Sequence, residues 1–434
     1  MKVIFLCLTI SVLIVCNGCN FKSDQNQKDV KKISIEIEEA KSILYANLLD
    51  TSSLTYIRLT TSEESLLGEI KKLHIFSGKY IIVSNKLYFF NTTGSFLSSL
   101  NRQGRGPEEY LHLTDAYIDR ENNIYVLDKR GRKILKYDEN GEYLLTMKTG
   151  LIGLSFTKLN DDVWAIYCGS EKNEESSHRI NFYSESMAKT IAGTQTITDE
   201  EYKWMHIVEN DNFTISPGLP LYKSVFNDTL YTITNNKISP LFILDWHDNR
   251  LPEHYLRENY ESIVEFFQDV KDKGYIFGIQ SIHSTKDHLC FSFVRDKKYY
   301  LAVYNWKTEK LLVVDNIAEI YSIGDVLAPI QPEILPAASD SEFFYSMIEP
   351  YYINELEADG KNVPGILANT TETDNPIIIK YKFKCMLNRE VNPNQTHKLG
   401  HYRNSGISLS NMYMILEIIG SIQCGLQKRL RKRV

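Results

Sequence analysis

The 434-residue chain has little proline, glycine and cysteine, with 12, 22 and 7 residues respectively. This low glycine and proline content excludes a collagen-like helix, and a hydrophobic fraction of 43% excludes a mainly disordered protein. There is no excess of basic charge, because the formal net charge is −6, which argues against a general nucleic-acid binder. Aromatic residues are abundant instead: 27 tyrosines and 19 phenylalanines favour β-strands.

Short motifs of several enzyme and metal-binding classes are also missing. The sequence contains no G-x-S-x-G, H-E-x-x-H, G-x-x-x-x-G-K-[ST] or EF-hand loop, which weakens serine hydrolase, zinc peptidase, P-loop and calcium-binding interpretations. The four cysteines beyond residue 19 are far apart and show no C-x-x-C spacing. We therefore expect no metal and no cofactor, assign no catalytic residue, and expect Cys168 and Cys290 to be buried free thiols.

The first nineteen residues have the pattern of an export signal. A short basic start precedes an apolar run from Val3 to Val15, which is too short for a stable membrane span. Cys19 follows a glycine and resembles the lipidated first residue of mature bacterial lipoproteins. We expect residues 1–18 to be a lipoprotein signal peptide, with an ordinary signal peptide or an uncleaved anchor as alternatives. Residues 19–48 are expected to be a tether, because their polar start cannot bury enough surface to fold alone.

Polar turns separate short runs of strand-forming residues in the middle of the chain. The clearest copy has strands at Ile124–Asp128 and Lys133–Tyr137, with the turn Glu139–Glu142 after the second. A similar pattern occurs earlier, so that Gly94 and Gly141 lie in matching turns 47 residues apart. A period in the forties with about four strands in each unit is typical of a β-propeller.

The propeller is expected to occupy residues 49–385, as an all-β fold with six blades; seven is the rival count. One small helical insertion is predicted at Pro252–Gly274, where apolar residues recur at helical spacing. A strand at Thr55–Leu59 is expected to pair beside Ile377–Lys380 and so close the ring, which removes free sheet edges. Residues 386–434 remain an unassigned tail, either an interfacial helix or a segment outside the propeller.

The motif Gly104–Tyr110 (GRGPEEY), with the strands that follow it, resembles an NHL-type propeller repeat. More closely, the chain from Cys19 to about residue 384 resembles the six-bladed β-propeller lipoproteins of Bacteroides-type bacteria. This resemblance implies a fold and a location in the cell envelope, and it implies no common activity. NHL repeats pair an aspartate after the second strand with an arginine before the third; in this sequence Asp128 faces Lys133, so the ion pair is either kept in altered geometry or lost.

Two groups of residues follow from these patterns. We expect one group to build the connection between blades: Gly104, Gly106, Pro107, Tyr110, Asp128 and Lys133. A second group combines arginine and aromatic side chains, which stack on sugar rings or pair with carboxylates, and it is our candidate ligand site at the propeller mouth: Arg105, Arg130, Tyr202, Trp204 and His206.

Three interpretations of function stay open at this point. The first is a ligand-binding or scaffold module of the cell envelope, held by its lipid anchor at the outer membrane, with a glycan, a peptide or another envelope protein as partner and no role in nucleic-acid binding. The second is an envelope enzyme acting on a glycan or a lactone, which predicts that at least three carboxylates or histidines converge at the channel mouth. The third is a sensor or assembly factor working through protein contacts, which predicts a large exposed apolar patch.

Overall fold

The computed structural model describes most of the chain as one ring of β-sheets. The described residues are 30–37, 48–171, 173–203, 211–216, 219–224, 226–234, 236–296, 298–314, 321–323, 326–328, 335–358, 363 and 365–384. Six blades of antiparallel strands follow one another along the chain, so the predicted six-bladed β-propeller is confirmed and seven blades are not formed. The predicted signal peptide, Cys19 and the tail 386–434 lie outside the described residues.

The strands form regular meanders. The first two strands of the chain are β1 (Lys31–Ser34) and β2 (Thr55–Arg58). Blade 1 contains β3 (Lys72–Phe76), β4 (Lys79–Val83), β5 (Leu87–Asn91) and β6 (Phe96–Leu100). Blade 2 contains β7 (Leu113–Ile118), β8 (Ile124–Asp128), β9 (Lys133–Tyr137) and β10 (Tyr143–Lys148). Blade 3 contains β11 (Ser155–Lys158), β12 (Val163–Tyr167), β13 (His178–Ser184) and β14 (Lys189–Thr196).

The remaining blades carry the longer connections. Blade 4 contains β15 (Phe213–Ser216), β16 (Leu219–Tyr222), β17 (Thr229–Thr234) and β18 (Lys237–Asp245). Blade 5 contains β19 (Ser281–Ser284), β20 (His288–Arg295), β21 (Lys298–Asn305) and β22 (Leu311–Val314). A hairpin of β23 (Tyr321–Ile323) and β24 (Val326–Ala328) precedes blade 6, which contains β25 (Ala338–Ser339), β26 (Phe344–Ile348) and β27 (Ile377–Tyr381).

Helices occur in the connections between strands. The α-helices are α1 (Asp199–Tyr202), α2 (Ile263–Asp272) and α3 (Pro350–Ala358), and 3₁₀ turns lie at Thr51–Ser53, His247–Asn249 and Glu253–Leu256. The predicted insertion at Pro252–Gly274 is therefore helical in two pieces rather than one. Its second piece begins because the Ser262 side chain accepts a hydrogen bond from the Glu265 backbone, which caps the helix.

The core lies between neighbouring blades, because inner strands such as β8 and β12 are buried on both faces. Between blades 2 and 3, Trp164 is fully buried and stacks on Phe156, with ring centroids 5.1 Å apart. Tyr125 packs on the same indole at 4.6 Å. Similar aromatic contacts recur around the ring, which explains why tyrosine and phenylalanine are so abundant in this sequence.

The ring closes through the N-terminal strand β2. It pairs antiparallel with β27, in a register that places Thr55 opposite Lys380 and Arg58 opposite Ile377. This is the predicted closure, and it completes blade 6 with a strand from the other end of the chain. Ile57 is buried in the core that blade 6 shares with blade 1.

The N-terminal segment also adds a strand that the sequence analysis did not foresee. β1 lies in the stretch predicted to be a tether, yet it pairs parallel with β18 as a fifth strand of blade 4. Three alternating isoleucines are buried in the core between blades 4 and 5: Ile33, Ile35 and Ile37. Residues 30–37 therefore belong to the folded body, because alternation every second residue buries one side of this short segment.

The two faces of the disc differ in their connections. Because the strands of a meander alternate in direction, connections after first and third strands share one face, and those after second and fourth strands share the other. We call the first the turn face; its connections have at most five residues. We call the second the loop face. It carries the long connections 59–71, 101–112, 168–177, 197–212, 246–280, 315–337 and 349–376.

Candidate functional site

The central channel is lined by the first strand of each blade, and its polar groups bind neighbouring blades together. The Ser155 hydroxyl donates to Asn212 Oδ1 at 3.1 Å, which joins blade 3 to the segment before blade 4. The Ser284 backbone N–H donates to Ser339 Oγ at 3.1 Å, which joins blades 5 and 6. The axis of the propeller is therefore polar, in contrast to the apolar cores between the blades.

The most strongly connected group on the axis is a buried carboxylate on β7. Asp115 is 1% exposed, and its two oxygens face neighbours on both sides. Lys72 Nζ donates to one oxygen at 2.9 Å, and His74 Nε2 lies 3.2 Å from the other. The Phe156 backbone N–H of blade 3 donates to the same carboxylate at 3.3 Å. One aspartate thus joins three consecutive blades.

Asp115 and Lys72 both stay charged although they are buried. Desolvation alone would raise the pKa of Asp115, but Lys72 and the hydrogen bond from His74 outweigh it, so the pKa is lowered. Desolvation likewise opposes the charge on Lys72, while Asp115 and Asp211 raise its pKa above the usual range. The pair is therefore ionised, as a buried ion pair with several hydrogen bonds must be to remain stable.

A buried histidine on β19 offers a nitrogen with no protein partner. Burial lowers the pKa of His283, helped by the charges of Lys72 and Lys223 and opposed by Asp211. His283 hydrogen-bonds the backbone of Pro336, which has no N–H, so the imidazole donates to the carbonyl. Nε2 has no hydrogen-bond partner among the described residues, so Nδ1 is the donor and Nε2 is left as an acceptor.

The GRGPEEY motif forms the connection between blades 1 and 2 on the loop face. The Gly104 backbone N–H donates to the Tyr110 carbonyl at 3.1 Å, and the Gly106 N–H donates to Glu109 Oε2 at 2.7 Å. The loop is therefore closed on itself, with Tyr110 fully buried beneath it. Pro107 lies at its exposed tip.

Lys133 and Asp128 both serve this connection, although they do not form the ion pair of the NHL pattern. They are opposite each other in the register of β8 and β9, but Lys133 Nζ donates to the Glu109 carbonyl at 2.7 Å. Asp128 accepts instead from three backbone N–H groups, those of Leu111, His112 and Gly131, at 2.9 to 3.0 Å. Of the two outcomes left open by the sequence, the ion pair is lost: backbone donors satisfy the Asp128 carboxylate, and Lys133 donates to a carbonyl instead.

Three cations that form no ion pair with the described residues lie near Asp128 or in the connections beside it. Arg130 and Arg105 are exposed on the loop face and make no hydrogen bond or ion pair with the described residues. Lys71 precedes β3 and donates to the Leu113 carbonyl at 3.1 Å, next to His112. Burial lowers the pKa of Lys71. Three cations thus lie at the mouth of blades 1 and 2 without an ion pair to the described residues.

Three residues of the predicted ligand site lie wholly or partly outside the described residues. Tyr202 lies in α1, on the connection between blades 3 and 4, and its side chain is outside the described residues. Trp204 and His206 also lie outside the described residues. The sequence analysis missed Lys71, His112, Asp115 and His283. A charged residue inside an otherwise apolar strand, such as Asp115 in Leu113–Ile118, was the available signal, because such a charge must be paired.

A separate cleft of about 880 Å³ opens at the outer rim of the loop face. It lies between blade 4 and the helical insertion and combines apolar with charged side chains. Its arginines are already paired: Arg250 Nε lies 2.5 Å from Asp228, and Arg257 lies 3.7 Å from Glu253. The cleft therefore offers less unsatisfied charge to a ligand than the mouth of blades 1 and 2.

Two further chemical expectations concern cysteine and metal. Cys168 and Cys290 are buried free thiols, as predicted, and burial raises the pKa of Cys168 to about 12. In the part of the chain that the structure describes, no three His, Cys, Asp or Glu side chains are grouped to hold a metal ion. Nor does any described helix have the length and apolar character needed to cross a membrane.

The fold and site define a six-bladed β-propeller with a polar axis and one loop-rich face. The chain belongs to the family described as domain of unknown function DUF4934, whose model matches residues 30–382. A comparison with curated proteins finds no match.

Solved structures with the same architecture are distant in sequence. A Bacteroides fragilis protein described as exported is 15% identical, over 82% of this chain and 99% of that chain, with a TM-score of 0.65. A DUF4221 family member of Bacteroides vulgatus is 10% identical over 78% and 99%, with a TM-score of 0.48. The virginiamycin B lyase of Staphylococcus aureus is 11% identical over 76% and 99%, with a TM-score of 0.36. The first likeness supports the fold alone, and the other two are too distant to inform ligand or activity.

Proposed function

We propose that this protein is a ligand-binding propeller of the cell envelope and that its loop face is the binding face. The ligand is a glycan, a peptide or another envelope protein. The observation that carries the proposal is the asymmetry of the disc: apart from segment 35–54, which joins β1 to β2, every connection longer than five residues between the strands of the blades begins and ends on the loop face. Binding residues of rigid folds are disproportionately found on such connections.

The proposed location in the envelope rests on the N-terminal sequence. Residues 1–18 serve as a lipoprotein signal, and lipid on Cys19 attaches the propeller to the outer membrane. A Bacteroides fragilis protein with the same fold is itself described as exported. Cys19→Ala should move the protein from the membrane fraction to the soluble fraction, as measured by blotting after fractionation. Continued membrane association would contradict the anchor.

The binding face can be tested by blocking one face at a time. Glu108 lies at the loop face of blade 2 and Glu139 at its turn face, and both are exposed. Glu108→Cys and Glu139→Cys are matched variants, made in a chain in which Cys385 and Cys424 are replaced by serine, and the two native thiols of the described residues, Cys168 and Cys290, are buried. Each variant is coupled to a maleimide polymer and screened on a glycan array and in pull-downs. We expect the polymer at residue 108 to block ligands that the unmodified protein binds.

In the control, we expect binding to persist when the polymer is attached at residue 139. If the polymer at residue 139 blocks binding and the one at residue 108 does not, the turn face is the binding face and the proposal is wrong. Melting curves of both conjugates establish that the propeller remains folded.

A second candidate is catalysis on a glycan or lactone at the same channel, and one observation favours it. Two carboxylates and two histidines occupy the axis: Asp115, Asp211, His74 and His283. The unpartnered Nε2 of His283 is the acceptor that a general base requires. Product analysis after incubation with bound glycans tests this candidate, and turnover that survives in His283→Ala would contradict the role of His283.

A further inference from the structure

We propose that the mouth between blades 1 and 2 binds a carboxylate or sulfate group of the ligand, with Arg130, Lys71 and His112 as its donors. This inference rests on the proposed function, because it names the chemistry that the loop face recognises. It concerns the exposed mouth rather than the buried axial groups.

The first argument is that no carboxylate of the described residues forms an ion pair with Arg130 or Lys71; Glu69 acts on Lys71 only through its charge, which opposes the lowering of the Lys71 pKa by burial. Arg130 is exposed and has neither a hydrogen bond nor an ion pair to the described residues. Its neighbour Lys129 differs, since Lys129 Nζ is paired with Glu171 at 3.2 Å. Lys71 is half-buried, and its ammonium donates only to a backbone carbonyl. Two cations thus lie at one mouth with no carboxylate engaged.

The second argument is that the loops carrying these groups are held in place. Asp128 is fully buried and accepts the backbone N–H groups of His112 and Gly131, which flank the mouth on two different connections. The Lys129 backbone N–H donates to Thr114 Oγ1 at 3.3 Å. A site whose donors are fixed before binding loses less entropy when a ligand arrives.

The third argument is electrostatic proximity. Burial lowers the pKa of His112, and the charges of Lys71, Arg130 and Lys129 lower it further, while Asp128 opposes them. The imidazole is therefore neutral at pH 7 and retains one N–H donor. An arriving oxyanion would meet two cations and a neutral donor, and Arg130 has the planar fork that matches a carboxylate or sulfate.

The matched control for Arg130 lies on the same blade. Arg120 is an exposed arginine in the turn 119–123 on the turn face, so Arg120→Ala changes net charge equally without touching the mouth. The probes are a galacturonate trimer, a sulfated disaccharide and maltotriose, each titrated by calorimetry against the full-length protein. The first two separate a carboxylate from a sulfate ligand, and the third is neutral.

We expect one of the acidic probes to bind more tightly than maltotriose and more weakly as sodium chloride is raised. Arg130→Ala should weaken that binding roughly tenfold, the effect of losing one charge-assisted hydrogen bond. Lys71→Met should weaken it in the same direction, and Arg120→Ala should leave it unchanged. Melting curves establish that all three variants fold.

Equal losses in Arg130→Ala and Arg120→Ala, or maltotriose binding as tightly as both acidic probes, would overturn the inference. Such a result is distinct from failure of the proposed function. If a neutral ligand binds and the polymer at residue 108 blocks it, the loop face is still the binding face and only the oxyanion site is wrong.

Discussion

The loop face and the turn face are built from the same strands, yet blade 2 distributes its charged residues differently between them. On the turn face, acidic and amide side chains are consumed by their own turns: Asp119 accepts from the backbone of Glu121 and Asn123, and Asp138 from that of Asn140 and Glu142. On the loop face, Arg105 and Arg130 are left without such partners. Carboxylates hold the backbone on both faces, as Asp128 does on the loop face, and we expect the cations that lie around Asp128 to carry recognition.

The connections of the two faces also differ in how regular they are. Gly94 and Gly141 occupy equivalent turns of blades 1 and 2 on the turn face, with φ of +85° and +82°. Residues with a side chain rarely adopt this backbone conformation, so the two turns favour glycine. The connections of the loop face vary in length from blade to blade, up to the segment 246–280. Variation in length is tolerated where long surface loops cost little extra free energy.

The largest expected effect comes from opening the ring. Deleting residues 54–59 removes β2 and the buried side chains of Ile57 and Leu59, which contribute about 1.5 to 3 kcal/mol each. We expect the melting temperature to fall by roughly 10 °C or more, at the few degrees per kcal/mol typical of large domains. Both faces should lose order together. An unchanged melting curve would show that the pairing of β2 with β27 does not stabilise the propeller.

The second largest effect should come from breaking the ion pair between Asp115 and Lys72 on the axis. Asp115→Ala leaves Lys72 buried without its partner, and breaking a buried pair in this way costs about 3 to 5 kcal/mol. Asp161→Ala, an exposed carboxylate in the turn 159–162, is the matched control and should be near neutral. Denaturant unfolding of both variants measures the difference. Similar free energies of unfolding would mean that the axial pair contributes little to joining the blades.

The same pair should give the protein a specific sensitivity to acid. Because the folded-state pKa of Asp115 is lowered, its contribution is present above the unfolded-state pKa and is lost as the pH falls through the folded-state value. We expect the free energy of unfolding to decline below about pH 4, the ordinary range of an aspartate. Asp115→Asn should flatten this decline. An identical pH profile in the variant would assign the acid sensitivity to other carboxylates.

A smaller effect concerns Asp128 and its backbone donors beneath the mouth. A Cβ at Gly131 would lie 2.2 Å from Asp128 Oδ2, so Gly131→Ala must displace that carboxylate from its backbone donors. We expect a cost of about 1 to 3 kcal/mol, the range for overpacking, and weaker binding of acidic probes. Gly365→Ala is the control, because nothing lies within 4 Å of its Cβ. Equal stability of the two variants would show that Asp128 can move away from its backbone donors without lowering the free energy of unfolding.

Sequence patterns predicted the blades best where both faces had strong local signals. In blades 1 and 2, a glycine turn and alternating strands fix the boundaries, and the strands at 124–128 and 133–137 agree with the structure. The closure of β2 on β27 was also predictable, because two apolar strands at the chain ends needed partners. β1 was not, since its three isoleucines are too few to stand out from a polar segment.

The candidate site was predictable only in part. Arginines on a loop are visible in the sequence, and Arg105 and Arg130 do lie on the loop face. Lys72 pairs with Asp115, and Lys71 lies near His112. Both contacts depend on how the adjacent blades 1 and 2 pack around the axis. Such contacts join residues about forty positions apart, and no local pattern encodes them.

Hydrogen exchange is the most direct measurement of which face binds. The protein is compared with and without a saturating acidic saccharide, with peptides covering both sides of blade 2. We expect slower exchange in the loop-face connections 101–112 and 129–132 and no change in the turn-face connections 119–123 and 138–142. Slower exchange confined to 119–123 and 138–142 would contradict the assignment of the loop face as the binding face.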